Sequence, residues 1–413
     1  MNTPVATAPS RPALGEVVQL PGGSVRVQGH LELVAEPLGG GVTGIRPVRL
    51  PRSAREHFPR KGYTLAAITD NAAGVRLVFE TDATSVRLRT RTTQLFFEEL
   101  PGPRNAYVAR IDGADAAQAP APVDAVLRLT FAGDAAETRV VQPSSVVILG
   151  DLPSGSKTVT VWLPQGMIVD LIDVEADAPI VAATPPALPV WVHHGSSISH
   201  CVETPLPTGA WPVVAADLAG LDLINLGFGG QCMLDPFVAD AIARAPADVI
   251  SIKVGVNIVG ARAMDQRTFG PALHGFLDRI RVGHPDTPVV LASSILWPGS
   301  EDTPGPADVK FLPDGGVRCF TAGDVADVAR GALTLSESRE LVEDVVRRRA
   351  ASGEAISYVD GHALYGPADT AEFVLPDSLH PDATLYAEMG RRFHAAVFAE
   401  GGLVPSSSLG AAD

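Results

Sequence analysis

The chain changes rhythm once, at a run of prolines, and that change limits its fold more than any other feature. Up to about residue 180, short apolar–polar alternations follow one another with turn residues between them. Ser24 to Glu36, Val75 to Phe79, Val86 to Leu88, Tyr107 to Gly113, Val126 to Phe131, Val146 to Leu149, Thr158 to Leu163 and Ile168 to Val174 all read this way. A period of two buries one face of each strand and wets the other, which predicts an antiparallel sandwich. No amphipathic helix is expected in this stretch. Ala182-Ala-Thr-Pro-Pro-Ala-Leu-Pro189 then breaks the run. Proline cannot donate to a sheet ladder and holds its predecessor extended, so a domain boundary is expected here.

Beyond residue 189 strands and helices alternate. Strands are predicted at about 190–194, 222–227, 248–254, 288–295 and 356–360, and helices at about 210–220, 236–245, 268–283, 335–352 and 382–399. Asp235-Pro236 offers a side-chain acceptor and then a proline whose missing N–H costs nothing. Thr334 and Glu337 have capping-box spacing. Leu385, Met389, Phe393 and Val397 form a core-facing stripe on the last helix. Near-continuous apolar strands between helices predict a parallel sheet covered on both faces. The expected organisation is a disordered lead over 1–15, a β-sandwich over 16–181, a linker over 182–189, an α/β domain over 190–402 and a tail over 403–413. Pro298 to Arg330 is a Gly-, Pro- and Asp-rich loop, long enough to be functional or mobile.

Composition narrows the partners. The net charge of -15 has no block of like charges, so nothing offers the basic footprint that nucleic acid or an anionic membrane requires. No apolar run is long enough to span a bilayer. Cys201, Cys232 and Cys319 are too sparse for a disulfide framework, and Met1 to Pro12 lacks the basic start and apolar core of a signal peptide. A soluble, cytoplasmic protein with a small-molecule partner is the expectation, with its oligomeric state left open.

An open parallel sheet binds ligands beyond the carboxyl ends of its strands. Gly195-Ser196-Ser197-Ile198 follows the first strand, Asn225 to Gly230 ends the second, Gly255-Val256-Asn257 follows the third and Leu375 to Pro381 follows the fifth. Together they suit acyl transfer. A serine hydroxyl needs a base to take its proton, and histidine does this near neutral pH. Ser197 is the candidate nucleophile and His380 the base, with Asp377 close enough to fix the imidazole tautomer. The Ser197 N–H, the Gly230 N–H and the Asn257 amide are the candidate oxyanion donors.

In this order, over about residues 190 to 400, the four segments resemble the blocks of the GDSL/SGNH hydrolase family. Ser197 matches the nucleophile, Gly230 and Asn257 the glycine and asparagine of the middle blocks, and Asp377 and His380 the acid and base of the last. The resemblance implies a flavodoxin-like three-layer α/β/α domain with a parallel sheet, here preceded by an all-β sandwich. It implies a serine esterase that cleaves small, acetyl-like esters of a sugar or natural product through an acyl-enzyme on Ser197, with no cofactor and no metal. Two departures stand out: Ser196 replaces the family's usual acid, and no acid follows Asn257. The same chemistry with an alcohol acceptor would make an acyltransferase, and a domain that had lost its chemistry would leave a carbohydrate-binding protein.

The residues also have ordinary readings. Ser197 suits a helix cap, Asp377 a turn, Asn257 a loop. His193, His194, His200 and Cys201 invite zinc but lack ligand spacing. Cys201 and Cys232 read best as buried, unreactive thiols. Asp360-Gly361-His362 places a second histidine near a strand end, without an acid where a triad needs one.

Overall fold

The computed structural model describes residues 14–98, 100–130, 133–184, 186–313 and 316–409. The expected lead therefore lies outside the described residues, except for Leu14 and Gly15. Their carbonyls accept from Gln28 and Arg26.

Among the described residues, the first half folds into two sheets of seven and eight strands. Val25, Val27, Leu77, Phe79, Val86, Leu88, Val159, Val161, Val169 and Leu171 come from both sheets and meet in one buried cluster. These are the inward positions of the period-two pattern, so the alternation translates directly into a core between sheets. The second sheet is built around Val86–Phe97, the longest strand at 12 residues. One pairing departs from the antiparallel expectation: Ala125–Leu129 runs parallel to Thr93–Phe97.

A helix over Tyr63–Asp70, preceded by a 3₁₀ turn over Arg52–His57, corrects the expectation of uninterrupted strands. Its sequence, Tyr-Thr-Leu-Ala-Ala-Ile-Thr-Asp, is short and carries three β-branched residues, which hides a helical period. The helix forms because Leu65 and Ile68 have somewhere to go. They are buried with Phe228, Phe237 and other residues of the second domain, so tertiary burial overrides weak propensity.

The second domain is a five-stranded parallel sheet: β1 (Val190–Gly195), β2 (Asp222–Gly227), β3 (Val249–Lys253), β4 (Val289–Ala292) and β5 (Ile356–Val359). The spatial order β2-β1-β3-β4-β5 is the flavodoxin-like one. Every residue of β1 to β4 is buried, as continuous apolar strands between two helical layers require. The helices are α1 (Ser197–His200), α2 (Trp211–Ala219), α3 (Pro236–Arg244), α4 (Val256–Gly260), α5 (Phe269–Gly283), α6 (Leu335–Ala351) and α7 (Ala383–Phe393). One layer holds α2 and α7, the other α3, α5 and α6. The capping box of Thr334 and Glu337 is present at the start of α6. Pro236 opens α3 as expected, but the Asp235 side chain does not cap it. Leu385, Met389, Phe393 and Val397 are buried, the last within a π turn over His394–Phe398. Among the described residues, no helix is long and apolar enough to cross a membrane.

The two halves share one core. Leu50, Leu65, Ile68, Leu95 and Ile168 from the first pack with Ile224, Leu226, Phe228 and Phe237 from the second. Arg49 lies at the centre of this contact and is fully buried. Its guanidinium donates to the carbonyls of Ile68 (2.5 Å) and Asn71 (2.6 Å) in the first domain and of Asn225 (3.2 Å) and Gly227 (2.6 Å) in β2. It also stacks over Phe228, 5.2 Å from the ring centroid. Burial lowers its proton affinity, yet donors aimed at carbonyl oxygens and an aromatic face suit a cation. Replacement by an apolar chain would strand buried acceptors. Arg49→Met is expected to cost about 3–5 kcal/mol in denaturant unfolding, since a buried carbonyl left without a donor costs about 1–3 kcal/mol and several lose theirs together. A loss below about 1 kcal/mol would show that the guanidinium is not what holds the halves together.

Candidate active site

Ser197 sits where β1 turns into α1, and the turn is built from close backbone approaches. A Cβ on Gly227 would lie 2.5 Å from the backbone of Ser199 and His200. Only glycine at the end of β2 therefore lets α1 pack against it. The Trp211 indole donates to the Ile198 carbonyl (2.7 Å) and the Asn225 amide to the Ser199 carbonyl (3.0 Å), which fixes the helix in place.

The three neighbouring serines are sorted by their partners. Ser196 is the buried N-cap of α1, its hydroxyl accepting from the Ile198 N–H at 3.3 Å. A short acceptor at this position serves the cap, which gives the family's exchanged acid a structural role here. Ser199 is buried, its hydroxyl 2.8 Å from His193 Nε2. Ser197 faces a cavity of about 500 Å³ between the two domains, and Gly230, Asn257 and His380 line the same cavity.

His380 Nε2 is 2.8 Å from Ser197 Oγ, and its Nδ1 is 2.6 Å from Asp377 Oδ2. The other Asp377 oxygen accepts from the backbone N–H groups of Leu379 (2.9 Å) and His380 (2.7 Å). Ser378, at φ +69°, takes the left-handed turn between them, a conformation uncommon outside glycine. The long loop also has a defined role. Its hairpin, Ala307–Phe311 with Val317–Thr321, brings the Cys319 N–H to the Asp377 carbonyl at 2.7 Å. Spacing and composition carried no sign of this buttress, because it depends on a distant hairpin folding back.

Asn257 Oδ1 accepts from the Cys232 N–H at 3.1 Å. That fixes which way the amide points, and its nitrogen, the donor end, has no hydrogen bond among the described residues. Gly230, at φ +70° with open space where a Cβ would be, offers unobstructed backbone at the cavity wall. The structure thus brings together all five residues singled out from the sequence.

Two carboxylates act on His380. Burial disfavours its charge, but the nearby Glu203 carboxylate, then the hydrogen bond and charge of Asp377, push the imidazole up to about 9. Burial opposes the ionisation of Asp377, but the hydrogen bond and charge of His380 and the two backbone N–H groups hold the acid down at about 2. Glu203 was not apparent in the sequence. Its Oε1 is 3.9 Å from His380 Nε2, and its Oε2 accepts from the Tyr386 hydroxyl at 2.8 Å.

The GDSL-like lipase/acylhydrolase family model matches residues 194–388, a span that contains all five residues. Residues 194–388 are a GDSL-like lipase/acylhydrolase domain. Solved structures resemble most of the chain, the β-rich first domain included. Salicylyl-acyltransferase SsfX3 from a tetracycline biosynthetic pathway is 25% identical, with 89% of this chain and 92% of that chain covered and a TM-score of 0.69. A putative GDSL-like lipase from Bacteroides ovatus is 16% identical over 90% of this chain and 94% of that one, with a TM-score of 0.61. An active-site mutant of a family two carbohydrate esterase from Clostridium thermocellum is 14% identical over 79% and 91%, with a TM-score of 0.53. No curated protein matches the chain.

The GDSL-like domain's other candidates resolve into structural roles. His193 lies between Ser251 and Ser199, His194 meets the Leu226 carbonyl, and His200 meets the Gln165 carbonyl. They do not converge on a metal position. Among the described residues, the metal-capable group is Cys319, Asp377 and His380, and there the acid and base already bond each other. Cys201 and Cys232 are buried, and burial pushes Cys232 up to about 12. Asp360 and His362 do not line the cavity.

A reaction with His380 as base needs the imidazole neutral. Because its pKa is raised to about 9, kcat/KM for a short ester should climb as pH rises through about 9 and level off above it. A profile already flat from neutral pH would contradict the raised value. Asp377→Asn should lower kcat by about 10⁴-fold, the cost of losing the acceptor that fixes the tautomer.

Proposed function

We propose that this protein is a serine esterase that cleaves small acyl esters of a sugar or natural product through an acyl-enzyme on Ser197. The observation that carries this reading is the continuous relay from Ser197 Oγ through His380 to Asp377, opening on an interdomain cavity. His380 takes the Ser197 proton as Oγ attacks the ester carbonyl, then gives it to the departing alcohol. Asp377 holds Nδ1–H and stabilises the imidazolium. The Ser197 and Gly230 N–H groups and the Asn257 amide receive the oxyanion. Water then releases the acid.

The first domain belongs to the substrate site in this reading. Ile68, Leu95, Phe97 and Pro103 line the same cavity as Ser197, a lining suited to the apolar body of a natural product. Transfer to an alcohol instead of water is the second reading. The likeness to salicylyl-acyltransferase SsfX3 along nearly the whole of both chains favours it.

Two experiments test the proposal. A fluorophosphonate probe should label the wild type and fail to label Ser197→Ala, and persistent labelling of that variant would sink the nucleophile assignment. In a panel of short acyl esters, His380→Ala should lose at least about 10³-fold in kcat. Activity that survived in His380→Ala would remove the relay from the chemistry.

A further inference from the structure

We infer that Glu203 holds the water that frees the acyl group from Ser197, and so sets the balance between hydrolysis and transfer. The inference rests on the acyl-enzyme reading above. Glu203 Oε2 is tied to the hydroxyl of Tyr386, a buried residue of α7, which leaves Oε1 on the cavity side. Oε1 and His380 Nε2 are 3.9 Å apart. That is too far for a direct hydrogen bond and is the kind of separation a water bridges.

The chemistry of the two atoms decides what fits between them. With Nδ1–H committed to Asp377, the Nε2 of neutral His380 is an acceptor, and a carboxylate accepts only. A molecule between them must give two hydrogens. Water has two, whereas the hydroxyl of a simple alcohol has one. In deacylation the water gives one hydrogen to Nε2 and points the other at Oε1. Its oxygen bonds to the acyl carbon, the bond from that carbon to Ser197 Oγ breaks, and the proton taken by Nε2 passes to Oγ. A free acid and the serine hydroxyl result, and Glu203 neither gains nor loses a proton. In acylation the same place belongs to the departing alcohol oxygen, which takes its proton from Nε2 and has no second hydrogen for Glu203.

Glu203 also acts on His380 through its charge. Among the described residues, Asp377 on the turn, Cys319 on the hairpin, Tyr386 on α7, the buried Cys201 just after α1, and His200 and Lys61 on the cavity walls are the other titratable groups around the site. The charge effect is removed by working on the alkaline plateau, where His380 is neutral in every variant.

The test is Glu203→Gln with p-nitrophenyl acetate. Glutamine can still accept from Tyr386 but turns an NH₂ toward the water. Fluorophosphonate labelling to the wild-type extent on the alkaline plateau will show that the variant is folded. On the plateau, the nitrophenolate burst should keep its rate within about twofold, while decay of the acyl-enzyme, followed by intact mass, should slow by about ten-fold or more. With a simple alcohol added, the ratio of ester product to acid should rise by a similar factor. Tyr386→Phe, which frees Oε2, should slow the decay less but in the same direction. Equal slowing of burst and decay, or a difference that vanishes on the plateau, would overturn the inference and leave Glu203 as a charge that only tunes His380. A wild type that forms no acyl-enzyme would overturn the reading beneath it as well.

Discussion

Four carbonyl oxygens from two domains converge on one buried guanidinium, and the site depends on that convergence. Arg49 joins the C-terminal end of the Tyr63–Asp70 helix in the first domain to the end of β2 in the second. β2 leads directly into Phe228, Gly229 and Gly230. The segment that offers an oxyanion donor is therefore anchored to the domain that supplies part of the same cavity's lining. An apolar contact would hold the halves together without fixing direction, whereas a planar fork of donors sets distance and orientation together. The cavity is a product of both domains and of their fixed placement.

Within that frame, one imidazole lies between an acid that orients it and an acid that faces its reactive side. Asp377 is held by two backbone N–H groups and buttressed from behind by the hairpin. Glu203 is held by Tyr386. Both favour the imidazolium, so proton affinity is raised on a residue whose burial alone would lower it. A base of high affinity takes the serine proton readily but is protonated over much of the neutral range. The arrangement thus exchanges working range for base strength.

The second domain was legible because its strands are buried on both faces and leave uninterrupted apolar runs between capped helices. Strand β2 and the start of helix α3 fall where the sequence places them, and the capping box of α6 forms as spaced. The four blocks were legible because strand ends in a parallel sheet converge, so short motifs far apart in the chain become neighbours. Other features depend on tertiary structure that local pattern does not encode. The Tyr63–Asp70 helix is decided by the surface it packs on. Asp235 looks like a cap and does not act as one. Cys319 reaches Asp377 through a hairpin hidden in a loop-like stretch, and Glu203 meets His380 without any spacing that would mark it. Ser196 was unexplained in the sequence and is a helix cap in the fold.

The central claim is that acyl groups pass through Ser197. The most direct test is to quench the enzyme in acid during turnover of a short acyl ester and map the acylated peptide by mass spectrometry. The expected result is one acyl group per chain, located on Ser197 and absent from Ser197→Ala. An acyl group on Cys201, Cys232 or another serine, or turnover with no acylated peptide, would contradict it.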